Sequence, residues 1–116
     1  VRFAKEPAVT VSSDPGDSKI IVKVDPDLIE IVPQFLENVI DDIAAIGEAV
    51  AEGDFEKARI LGHSMKGAGA GYGFDRLSDY GKVIESAAAA KDASLIDAQV
   101  ANVRAYLAAV VVESGE

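Results

Sequence analysis

From Pro33 onward the apolar residues recur with the spacing of one helix face. Phe35, Leu36, Val39, Ile40, Ile43, Ile46 and Val50 fall on one stripe, with Glu37, Asp41, Asp42 and Glu48 off it. Gly53-Asp54 ends that helix and caps a second, predicted from Phe55 to about Gly71. A third helix is predicted to start near Phe74 or Asp75 and to turn Leu77, Tyr80, Ile84 and Ala87 inward. Lys91-Asp92 breaks it, and a fourth presents Leu95, Ile96, Val100, Val103, Leu107 and Val110. Four amphipathic helices joined by short connections predict an all-α fold, an antiparallel up-and-down four-helix bundle over residues 25–116. Residues 1–24 show no helical period and read as an extended lead-in. Within it "SSDPGDSK" is turn chemistry, and "KIIVKV" is a strand or an extended arm. Asp25-Pro26 is a good helix start, so an extra N-terminal helix is expected there, kinked or restarted at Pro33.

Composition narrows the class. The 116 residues are 49% hydrophobic and 27% charged, which suits one globular domain. There is no cysteine, so disulfides, thiol catalysis and Cys-ligated zinc are excluded. No stretch has the length of a membrane span or the pattern of a signal peptide, and the cytoplasm is the expected location. The chain opens on Val1 rather than Met, as a piece of a longer protein would. A net charge of −9 argues against nucleic acid or an anionic membrane as partner. Yet Lys57, Arg59, Lys66, Arg76 and Lys82 are accompanied between 57 and 82 only by Asp75 and Asp79. The one histidine, His63, lies in this basic segment.

The helical period fixes the direction of that histidine. At about 100° per residue, Leu61, Met65, Ala68 and Tyr72 cluster almost opposite His63, and Arg59, Lys66 and Gly67 share its side. His63 is therefore expected to be exposed. A metal site needs three or four ligands, and no second His or Cys is present to help. Ser64 is the adjacent residue and does not face His63 on a helix, so a hydrolase triad is not formed locally. General-base action toward a distant group stays open, but a neutral imidazole nitrogen is better used as a nucleophile that carries a phosphoryl group. Lys66, one turn on, can sit beside such an anion, and Gly67 leaves room above the ring. Gly62, Gly67, Gly69 and Gly71 each cost about 0.8–1 kcal/mol in a helix, so something other than helix stability selects them. The order Lys66-Gly67-Ala68 is not that of a phosphate-binding loop, and no G-x-G-x-x-G is completed. Clearance at the site, close helix packing at Gly69, and termination at Gly71 and Gly73 are the expected roles.

The segment "HSMKGAGAGYG" resembles the signature of histidine-containing phosphotransfer (HPt) domains. His63, Lys66, Gly67 and Gly73 fill its positions, and Met65 stands where an aliphatic residue is usual. The likeness extends over roughly residues 26 to 113. It implies a four-helix bundle in which His63 is phosphorylated on Nε2, with Lys66 as electrostatic support and Gly67 as clearance. It also implies that Glu85, 22 residues after the histidine, contacts the imidazole, whereas a surface pair with Lys82 is the alternative. The partner implied is a receiver domain of a response regulator or hybrid histidine kinase, bringing its own Mg²⁺. Its docking surface would include Arg59, Ala70, Gly71, Ser78 and Lys82. No cofactor, metal or ATP-dependent kinase activity is implied for the chain itself, and a monomer is expected. Two other readings stay open: a non-phosphorylated helical binding module of the same fold, and a structural domain of a larger signalling protein.

Overall fold

The computed structural model describes residues 2–3 and 19–115. Its elements in order are β1 (Arg2–Phe3), β2 (Ile20–Val24), a single 3₁₀ turn (Ile29–Ile31), α1 (Val32–Ala51), α2 (Phe55–Tyr72), α3 (Asp75–Ala89), α4 (Ala93–Ala109) and β3 (Val110–Ser114). The four helices form the bundle that their apolar period predicts. The "SSDPGDSK" turn falls almost wholly outside the described residues.

Local chemistry sets the helix boundaries. The side chains of Asp54 and Asp92 accept from Lys57 N and Leu95 N, capping α2 and α4. Gly53 and Gly73 close the turns before and after α2 at φ 77° and 86°, conformations that a Cβ would strain. The helix expected from Pro26 is instead a tight turn. Asp25 Oδ1 accepts from Asp27 N at 2.9 Å, and Leu28 N and Ile31 N donate to Asp25 O and Leu28 O at 2.8 and 3.0 Å. Pro33 has no N–H to donate back to Ile29, so the chain before it closes through shorter-range bonds, and α1 begins with proline in its first turn.

Phe35, Leu36, Val39, Ile43 and Ile46 of α1 meet Met65 of α2, Leu77 and Ile84 of α3, and Ile96, Val100 and Val103 of α4 in one buried core. Phe35 stacks on Tyr72 at 4.5 Å and lies 5.3 Å from Phe74, which locks the end of α2 to the start of α1. Two predicted core positions are corrected. Ile40 is 49% exposed and Leu95 39% exposed, because each sits at the margin of its helix stripe, where no neighbouring helix covers it. Val110 also leaves its expected place in α4. Its ψ of 137° ends the helix, and the β-branched run Val110–Val112 continues as a strand.

That strand pairs in parallel with β2, Ile20 opposite Val110 and Val24 opposite Ser114. It is the middle strand of a three-stranded sheet ordered β1-β3-β2. "KIIVKV" is thus a strand, and it buries Val24 against the core beside Val110 and Val112.

Candidate functional site

The site is built on α2. Ala58, Gly62, Met65 and Gly69 are its buried positions, and Leu61, Ala68 and Tyr72 pack half-buried on the core. His63 points the other way, with its side chain 64% exposed.

Close approach of α3 gives the imidazole its neighbour. A Cβ on Gly62 would lie 2.9 Å from Glu85 N, one on Gly69 2.7 Å from Ser78 N, and one on Gly81 2.6 Å from Lys66 N. All three of these contacts are with backbone, which has no free end to move aside. Glycine at these positions lets the two helices run nearly backbone to backbone, so a side chain from α3 reaches across to α2. The expected packing role of Gly69 is met. Gly81 is the seam residue that the sequence reading passed over. A glycine in the middle of a predicted helix was the available signal, and it faces Gly62 and Lys66 across the seam.

Glu85 exploits that closeness. Its Oε2 lies 2.8 Å from His63 Nδ1, and its Oε1 accepts from Lys66 Nζ at 2.9 Å. The Lys66 ammonium, and then the His63 bond, hold the Glu85 carboxyl below its ordinary value, against the opposing effect of desolvation. A carboxylate only accepts, so the proton between the two side chains belongs to Nδ1. Among the described residues nothing bonds Nε2, and the ring is exposed. The arrangement holds one ring nitrogen against a carboxylate and leaves the other without a partner among the described residues, with the Lys66 ammonium close by.

A family model, the Hpt domain, matches residues 30–112. The chain belongs to the Hpt domain family. No curated protein and no solved structure gave a match. Hpt domains are phosphocarriers rather than kinases, and their family setting is the phosphorelay. In this Hpt domain no helix among the described residues is long and apolar enough to cross a membrane. No group of three or more His, Cys, Asp or Glu that would hold a metal ion occurs among them.

The remaining expected residues separate into three groups. Gly67, Ala70 and Gly71 are exposed, and a Cβ on Gly67 or Gly71 would meet nothing within 4 Å. Gly71 is the last residue but one of α2, and Gly73 makes the left-handed turn that ends the helix. Arg59 donates to Glu56 on its own helix at 2.6 Å, which raises its pKa, so its charge is locally answered. Ser78 is half-buried in the α2–α3 seam, and Lys82 is exposed with no ion pair among the described residues. The alternative Glu85–Lys82 pair does not form; the acid turns to α2 instead. The sequence reading also overlooked Ile60, which is 54% exposed. It lies one turn before His63 on the same face, an apolar side chain displayed beside the imidazole.

Proposed function

We propose that this Hpt domain is a phosphorelay intermediate that exchanges a phosphoryl group between His63 and the aspartate of receiver domains. The observation that carries the reading is the 2.8 Å contact of Glu85 Oε2 with Nδ1 of an exposed His63. With the proton on Nδ1, the Nε2 lone pair attacks the phosphorus of an aspartyl phosphate. The N–P bond forms as the P–O bond to the aspartate breaks, and the receiver leaves with its carboxylate. The imidazole becomes cationic and keeps its Nδ1 proton against Glu85, so no proton has to depart. Donation to a second receiver runs the same step backwards.

Lys66 has three donors, one of which holds Glu85. The other two are available to an incoming phosphoryl oxygen, so the same ammonium supports both the carboxylate and the transferring group. Gly67 supplies the space into which that group enters. Ala70, Gly71 and Ser78 present a low surface that another domain can approach closely, and Lys82 adds positive charge at its edge, with Arg59 held by Glu56. The reading assigns the chain no kinase activity of its own: the receiver brings the activated phosphoryl group and its own Mg²⁺. It works as a monomer in the cytoplasm.

The test is phosphoryl uptake from a small-molecule phosphoramidate, followed by intact mass in the parent and in His63→Gln. An acid-labile adduct on the parent alone supports the carrier. A folded parent that takes up nothing favours the binding module instead.

A further inference from the structure

A pocket of about 260 Å³ lies where β2, the start of α3 and the end of α4 meet, and none of its residues enters the phosphocarrier reading. Ile20, Ile21, Val22 and Lys23 contribute from β2, and Gly73, Asp75 and Arg76 from the turn into α3. Val24 O accepts from Gly115 N at 2.7 Å on the β3 side of β2. Backbone groups alternate in direction along a strand, so those of Ile21 and Lys23 face the edge that no described strand pairs. A Cβ on Gly73 would lie 3.9 Å from Lys23 O, so the turn after α2 closes that edge at Lys23. A further strand has no run there, and the opening suits a ligand that ends inside it.

The polar groups of the pocket are short of partners. Tyr106 of α4 lines it, is 3% exposed, and has no hydrogen-bond partner for its hydroxyl among the described residues. None of their side-chain N or O atoms is sealed away unpartnered, so this hydroxyl meets the outside at the pocket. Burial pushes it up to about 12, so it stays protonated and can donate. Arg76 is held beside it. Its guanidinium lies 5.2 Å from the Tyr106 ring centre and 5.9 Å from that of Tyr80, and it donates to the Tyr80 hydroxyl at 2.9 Å. The rest of its planar fork is free to bind: neither Arg76 nor Lys23 pairs with a carboxylate among the described residues. Phe74, the N-cap of α3, offers no side-chain oxygen, so the first N–H groups of that helix add uncapped positive charge to the same wall.

We propose that this pocket binds a small monocarboxylate with a short apolar body. The carboxylate lies against the Arg76 fork and accepts from the Tyr106 hydroxyl, and the hydrocarbon lies among Ile20, Ile21 and Val22. Lys23 and Arg76 outweigh the one acid in the lining, Asp75, by a single positive charge. A monoanion balances that surplus, whereas a phosphate dianion overruns it and leaves the apolar side of the pocket wet. The site is a second function of the chain, independent of His63.

The probe is isovalerate, titrated into the ¹⁵N-labelled intact chain and followed by amide shift mapping. Its controls are isovaleramide, which has the same shape without the charge, and inorganic phosphate. Isovalerate is expected to give saturable shifts at Ile21, Gly73, Arg76 and Tyr106, and the two controls to leave these amides in place. Tyr106→Phe keeps the buried ring and removes the hydroxyl, and it should weaken isovalerate about tenfold, what one hydrogen bond to a charged group supplies. Arg76→Lys keeps the charge and loses the fork, and it should weaken binding as well. His63→Gln should bind isovalerate as the parent does, so a chain that takes up no phosphoryl group can still show this site. No saturable shifts, shifts elsewhere, an equal response to isovaleramide, a preference for phosphate, or a folded Tyr106→Phe protein that binds like the parent would each overturn the proposal.

Discussion

Placing one methyl group at two glycines of the motif region should have opposite effects. At Gly81 a Cβ would lie 2.6 Å from Lys66 N and 2.7 Å from Gly62 O, whereas ordinary contact begins at 3.4 Å. Both obstacles are backbone, so α2 and α3 must separate by about 0.8 Å, the gap between those two distances. Overpacking against groups that cannot rotate away costs about 3 kcal/mol. The better helix propensity of alanine returns about 1 kcal/mol. The net loss is about 2 kcal/mol, roughly 8 °C in Tm for a domain of this size. The same displacement would stretch the His63–Glu85 contact from 2.8 Å to about 3.6 Å, outside hydrogen-bond range. Gly67 is the comparison, since a Cβ there meets nothing within 4 Å. Gly67→Ala should therefore stabilise by about 0.8 kcal/mol while narrowing the approach to His63. Urea and thermal unfolding of the two variants measure both signs. A Gly81→Ala protein as stable as the parent, or a Gly67→Ala protein that is weaker, would refute the packing argument.

Three further outcomes follow from the same geometry. Asp54→Ala removes the bond to Lys57 N and should cost about 1 kcal/mol in urea unfolding, with phosphoryl uptake unchanged. Tyr106 lies buried beside Arg76, 5.2 Å from its ring, and burial pushes its hydroxyl from 10.0 up to about 12. The folded state then holds that proton longer than the unfolded state does. Stability should fall by about 3 kcal/mol as pH rises across that window, a loss that Tyr106→Phe does not show. Glu85 behaves in the opposite sense. Its folded pKa lies below the ordinary 4.5, so its stabilisation is full above that value and is lost as pH falls through the folded one. The stability gap between the parent and Glu85→Gln should close in acid; a gap that widens toward pH 3 would contradict the ion pair.

Much of the site could be read from the order of residues. The period of α2 alone places Met65 inside and His63 outside. Position 22 after the histidine, known from the family pattern, falls on the face of α3 that carries Glu85 to Nδ1. What the pattern missed depends on distance between elements rather than on period. Gly81 looks like a weak helix residue until its closeness to Lys66 N is known. Lys66 reads as a cation aimed outward, yet its first partner is Glu85. Ile40 and Leu95 fit an apolar stripe whose width exceeds what the neighbouring helices cover. Val110 matches the helical period of α4, and only the register with Ile20 shows why it is better used in a strand. The parallel pairing of β2 with β3 joins segments some ninety residues apart, a contact that no local pattern announces.

The central claim is that His63 carries phosphate on Nε2 while Glu85 keeps the proton on Nδ1. Its most direct test is a long-range ¹H–¹⁵N spectrum of the imidazole in the ¹⁵N-labelled chain, before and after reaction with phosphoramidate. The account predicts an Nδ1–H tautomer at rest, phosphorus on Nε2 afterwards, and no change in His63→Gln. Phosphorus on Nδ1, an Nε2–H resting tautomer, or a folded protein whose imidazole never reacts would contradict it.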